Sequence, residues 1–128
     1  MMRRLLTPFV TGVLVMVFGI FVATAFHLYA IPHFDKALHV TGGLIVAWFF
    51  SIFFKKDLVG VSWFHRFLIL VAMAGLVGLL WEFAEFGSSF LAPAHPILHR
   101  YFFGGDLTDT LTDLMSDLVG GMLYTLFS

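Results

Sequence analysis

The chain has 128 residues, 60% hydrophobic and 12% charged, with a formal net charge of −1. Soluble domains carry roughly 25% charged and about 45–50% apolar residues, so this composition excludes a soluble globular enzyme and a disordered chain. The near-neutral balance leaves no basic face for nucleic acid, and the lack of cysteine removes disulfides, thiolate metal sites and cysteine nucleophiles.

A membrane-spanning helix needs about 20 mostly apolar residues. Four segments meet that length, at about residues 5–26, 36–54, 64–86 and 107–127. The expected fold is therefore all-α: a four-transmembrane-helix bundle forming one domain over residues 1–128. The first segment follows Arg3-Arg4 and ends near Ala23-Thr24-Ala25, which resembles a signal peptide. Its apolar run is long for that role, and a retained helix is expected. Arg3, Arg4, Lys55, Lys56 and Arg66 mark one side of the membrane, while only Lys36 and Arg100 mark the other. The positive-inside rule then places both termini and the middle loop in the cytoplasm. The loop at 87–105 lies outside on this topology. With Phe90, Leu91, Ile97, Leu98 and Tyr101 it is too apolar for a free loop, and an interfacial or re-entrant lid is expected.

Seven of the eight acids lie in or at the ends of apolar segments; only Asp57 sits in a polar loop. A charged Asp at a helix centre costs on the order of 2.5–3.5 kcal/mol on insertion scales. Asp106, Asp109, Asp113 and Asp117 fall within an arc of about 80° at helical periodicity, forming a ladder down one face of the fourth helix. Leu107, Leu111, Leu114 and Leu118 lie largely off that stripe. Glu82 and Glu85 share a face of the third helix, and Asp35 and His39 share a face of the second. All three groups gather at the outer half of the bundle.

Such a concentration of acids calls for positive charge, and a divalent cation supplies it. Carboxylates suit Mg²⁺ or Mn²⁺, and a histidine admits Zn²⁺. The candidate metal ligands are Asp35, His39, Glu82, Asp106, Asp109 and Asp113. Glu85 and Asp117 are the candidate general bases, and Lys36 and Arg100 the candidate phosphate holders. Simpler roles stand beside these. Asp106 and Asp35 suit helix caps, Asp109 suits the helix dipole, and Asp113, Asp117 and His39 suit structural hydrogen bonding. Glu82 and Glu85 suit pairing with Lys36 or Arg100. His27, His33, His65, His95 and His99 read as interface or loop residues. Small residues at Gly42-Gly43, Ala72/Gly75/Gly78 and Ser116/Gly120 suit close helix packing.

Three blocks carry a family resemblance: His33-Phe34-Asp35-Lys36-Ala37-Leu38-His39, Trp81-Glu82-Phe83-Ala84-Glu85, and Gly105-Asp106 through Asp109, Asp113, Asp117 and Gly120-Gly121. Together they resemble the VanZ-like membrane proteins and the related YjdF-type family, over the second to fourth helices. The VanZ pattern generally has Gln in place of Glu85 and Asn near Asp117. The resemblance implies a multi-pass protein of the bacterial inner membrane, with Asp35, His39, Glu82, Glu85, Asp109 and Asp113 as its site. It also hints at cell-envelope or lipid-linked substrates. The acidic ladder is similar to those of intramembrane prenyltransferases and CDP-alcohol phosphotransferases, whose further motifs are missing here.

The resulting expectation is a metal-dependent hydrolase or phosphotransferase acting on a membrane lipid or lipid-linked phosphate, with membrane lipids as partners and no nucleic acid. The alternatives are proton or divalent-cation transport and a non-catalytic accessory or binding subunit. The inner half of the fourth helix has no ionisable side chain of Asp, Glu, Lys, Arg or His, which favours a blind pocket over a path. Several copies in a homo-oligomer would be needed to build one.

Overall fold

The computed structural model describes residues 2–23, 25–91 and 106–128, and every regular element among them is helical. Helix α1 spans Met2–Val17 and continues as a π-helical stretch over Phe18–Ala23. The first span is thus not one regular α-helix. The wider π turn shifts carbonyls out of the i→i−4 ladder, and the Tyr29 hydroxyl donates to one of them, Gly19 O, at 3.0 Å. Tyr29 belongs to a short 3-10 turn, Leu28–Ala30, after the span. His27 and His33, each preceding a helical element, adopt left-handed backbone conformations. Histidine is among the residues enriched there, so these two serve the chain reversal.

Helix α2 spans Phe34–Phe53, α3 spans Trp63–Leu91 and α4 spans Leu107–Phe127. Helix α3 is longer than its apolar run suggests, continuing through Gly87 to Leu91 at the end where the outer loop is expected. The remainder of that loop, including His95, His99 and Arg100, lies outside the described residues. Three helical segments, Arg3–Ala23, Phe34–Phe53 and Trp63–Ser88, are long and apolar enough to cross a membrane. Helix α4 has comparable length, but Asp109, Asp113 and Asp117 interrupt its hydropathy.

Helices α2, α3 and α4 form the core, and α4 packs more extensively on α2 than on α3. Helix α1 lies against α2 at the periphery. The α2–α4 contact is backbone to backbone. A Cβ at Gly43 would collide with the Asp117 carbonyl, and one at Gly120 would collide with the Val40 carbonyl on α2. On the α3 side, Gly78 leaves the space occupied by the Asp117 carboxylate, and Gly75 admits Leu118. Gly43, Gly75, Gly78 and Gly120 therefore work as the packing reading expects, whereas Ala72 is exposed. The outward surface is apolar: Leu107, Leu111, Met115 and Val119 on α4 are exposed, as are Phe9, Leu14 and Phe21 near the N-terminus. A surface of this kind fits lipid.

Candidate functional site

Helix α4 presents its acids inward as the 100° periodicity predicts. Asp113 and Asp117 are 3% and 5% exposed, while Leu111 and Met115 on the opposite side of the helix face out. Asp106 departs from the group. It is exposed and caps α4, its side chain accepting from Asp109 N at 2.9 Å. This is the capping role rather than membership of the cluster.

Lys36, in the first turns of α2, reaches across to α4. Its Nζ donates to Asp109 Oδ1 at 2.5 Å and to Asp113 Oδ1 at 2.6 Å, with Asp35 Oδ2 at 3.5 Å. One ammonium thus faces three carboxylates. One turn deeper, His39 Nδ1 lies 3.2 Å from Asp117 Oδ2 and its Nε2 lies 3.7 Å from Asp113 Oδ1. An Nδ1 proton donated to the Asp117 carboxylate leaves the Nε2 lone pair directed toward Asp113. Metal-bound histidines are held in just this way, with the far nitrogen on a carboxylate. Asp35, His39 and Asp113 each offer a ligand atom, and these atoms lie within 4.8 Å of one another. They form a group able to hold a metal ion.

Two glutamates on α3 flank the group. Glu82 is 6% exposed, and its Oε1 is buried without a hydrogen-bond partner among the described residues. The Thr110 side chain is a hydrogen-bonding neighbour of the Glu82 carboxyl, and Asp113, His39 and Asp117 lie within electrostatic reach of it. Glu85 accepts from the Trp81 indole Nε1 at 2.9 Å, an i,i+4 pair on the same helix face. Leaving a buried carboxylate oxygen unpaired costs more than an ordinary hydrogen bond contributes, so Glu82 marks a place where a positive group fits.

Beside this group lies a cavity of about 250 Å³ between α1, α2 and α3. Asp35, His39, Glu85 and Asp117 border it together with Tyr29 and Trp81. Burial, with Asp35 and Glu85 nearby, pushes the Tyr29 phenol up to about 12, so its hydroxyl remains the donor to Gly19.

Of the residues singled out from sequence, the fold brings together Asp35, Lys36, His39, Asp109, Asp113 and Asp117, with Glu82 and Glu85 alongside. Asp106 stands apart as a cap, and Arg100 lies outside the described residues. Tyr29 and Trp81 border the cavity and escape a reading centred on charge. Trp81 enters the sequence reading as the first residue of the block that carries Glu82 and Glu85, and its i,i+4 spacing to Glu85 points to their contact.

These features define a class: an all-helical integral membrane protein with a buried carboxylate–histidine group between its helices. The chain belongs to the family described as Predicted membrane protein (DUF2238), whose model matches residues 3–128. The comparison with curated proteins gives no significant match, and neither does the comparison with solved structures.

Proposed function

We propose that this is a four-span inner-membrane protein that holds a divalent cation at Asp35, His39 and Asp113 and acts there on a lipid or lipid-linked phosphate. The observation that carries the reading is the two-sided engagement of His39, with Nδ1 on Asp117 and Nε2 turned to the Asp35–Asp113 side. The buried, unpaired Glu82 oxygen supports it independently. A cation bound there would neutralise a phosphate oxygen and lower the pKa of a water. In this reading Asp117 positions His39, Glu85 borders the cavity as the base, and Lys36 holds Asp109 and Asp113 until a phosphate competes for it. The resemblance to VanZ-like and YjdF-type proteins and the outer placement of the site belong to the same proposal.

The packing below the site supports a blind pocket over a transport path. Past Asp117 the α2–α4 contact closes to backbone distance at Gly43 and Gly120. About 10 Å along α4 from Asp117, Tyr124 OH and Ser51 Oγ are hydrogen-bonded at 2.6 Å.

The test is Mn²⁺ titration of the purified full chain in nanodiscs, followed by Mn²⁺-dependent release of water-soluble phosphate, free or still joined to the head group, from phospholipid. Saturable binding by the native chain, weakened at least about tenfold in Asp113→Asn, is the expected result. Absence of saturable binding, or equal binding by Asp113→Asn, contradicts the cation site. Binding without phosphate release contradicts the hydrolase activity alone.

A further inference from the structure

The cavity beside the carboxylates has two chemically different ends. Gly12, Val15 and Met16 near the N-terminus, Ile45 and Val46 of α2, and Val77 of α3 form an apolar end. Tyr29, Asp35, His39, Trp81, Glu85 and Asp117 form the other. From Asp35 to Val46 the cavity follows α2 for about 16 Å at 1.5 Å per residue, a shape suited to a chain rather than a compact solute. Its long apolar part would gain nothing from water and is well matched to methylene groups. Helix α1 packs on α2 and makes no extensive contact with α3. The cavity lies in the gap between α1 and α3.

The charge at the polar end selects the head of that chain. Among the described residues, Asp35, Glu85 and Asp117 border the cavity with His39 as the basic side chain beside them, and the His39 ring is already engaged by Asp117. The ammonium of Lys36 lies closest to Asp109 and Asp113, with Asp35 Oδ2 at 3.5 Å, and leaves Glu85 without it. Among the described residues Glu85 accepts from the neutral Trp81 Nε1, and Glu82, His39 and Asp35 stand in electrostatic reach of it. A positively charged head would complement these carboxylates. The aromatic groups of Tyr29 and Trp81 at the same end suit a cation as well.

We propose that this cavity binds an alkyl-chain amphiphile whose head carries a positive charge, with the chain between α1 and α3 and the head at Glu85 and Asp35. The inference names a substrate class for the site proposed above, an amine-bearing lipid. The binding step is tested at Glu85 and Val77, which lie outside the Asp35–His39–Asp113 group, whereas Asp35 is shared with it.

The experiment uses the full chain in nanodiscs and a bromoalkyl-trimethylammonium probe, with saturable quenching of tryptophan fluorescence as the readout. A bromoalkyl glucoside of equal chain length is the neutral comparison. The cationic probe is expected to bind at least about tenfold more tightly than the glucoside, a difference of about 1.4 kcal/mol. Glu85→Gln should remove that preference and leave the glucoside unchanged. Val77→Phe, which fills the apolar end, should weaken both probes about tenfold, in a variant whose thermal transition shows it folded. Asp113→Asn should retain probe binding, so loss of the metal reading leaves this one standing. Equal binding of the two heads by the native chain overturns the proposal, as does native-like binding by folded Val77→Phe. Displacement of the probe by phosphatidylethanolamine but not phosphatidylglycerol would assign the head to a membrane lipid. Displacement by free alkylamine alone would assign it to a soluble amphiphile.

Discussion

Replacing Gly43 with leucine is expected to leave little folded protein. The α2–α4 crossing is a contact between main chains, and a Cβ at Gly43 meets Asp117 backbone atoms rather than a side chain that can rotate away. Overpacking a well-packed contact typically costs 1–3 kcal/mol. Here the obstacle is backbone and the inserted group is large, so about 3 kcal/mol or more is expected. That is a large share of the roughly 5–15 kcal/mol that holds a domain together. The loss extends beyond packing, because separating α2 from α4 also parts His39 from Asp117 and Lys36 from Asp113. Gly87→Ala provides the contrast. A Cβ at Gly87 meets nothing within 4 Å, and Ala is preferred over Gly within a helix by roughly 0.5–1 kcal/mol. Thermal unfolding in detergent should therefore show Gly43→Leu collapsed and Gly87→Ala unchanged or slightly stabilised. A native-like Gly43→Leu transition would refute the close crossing.

Lys36→Met is expected to act in opposite directions depending on whether a divalent cation is present. Lys36 is the resident positive charge among Asp35, Asp109 and Asp113. Asp113 is almost wholly buried, and removing the partner of a buried charge costs about 3–5 kcal/mol. With chelator present, the variant should therefore unfold at a much lower temperature than the native chain. Methionine keeps much of the side-chain length without the charge, so most of the loss is electrostatic. The same change removes the internal competitor for a cation at Asp35, His39 and Asp113. Mn²⁺ should thus bind the variant more tightly than the native chain and restore much of its stability. Occupancy at a hundred times Kd supplies about 2.7 kcal/mol. Unfolding curves with EDTA and with Mn²⁺ check both halves. A destabilised variant that Mn²⁺ does not restore would mean that Lys36 closes a purely structural ion network.

Much of the architecture is legible in the sequence because the bilayer imposes simple rules on length and polarity. The inward face of α4 follows from the spacing of Asp109, Asp113 and Asp117, and the outward positions of Leu111 and Met115 follow from the same periodicity. The small residues expected to permit close packing do so at Gly43, Gly75, Gly78 and Gly120. What is hidden depends on which helix neighbours which. Nothing in the spacing of Lys36 says that it spans to Asp109 and Asp113. Nor does the ladder say that Asp117 engages His39 instead of a ligand or a proton path. Asp106 joins the ladder by angle but lies too near the helix start to turn inward, and its carboxylate is used on the Asp109 amide. Local propensity also misleads in places. Gly87-Ser88 reads as a helix end, yet α3 continues past it. The apolar run of the first span gives no sign of its π-helical stretch.

The central claim is that His39 Nε2 is a metal ligand oriented by Asp117. Its most direct test is pulsed electron paramagnetic resonance of Mn²⁺ bound to the full chain in nanodiscs. Mn²⁺ coupled to a histidine nitrogen in the native chain, with that coupling absent in His39→Gln, is the result expected. Bound Mn²⁺ with no nitrogen coupling, or with one that survives His39→Gln, would contradict the claim.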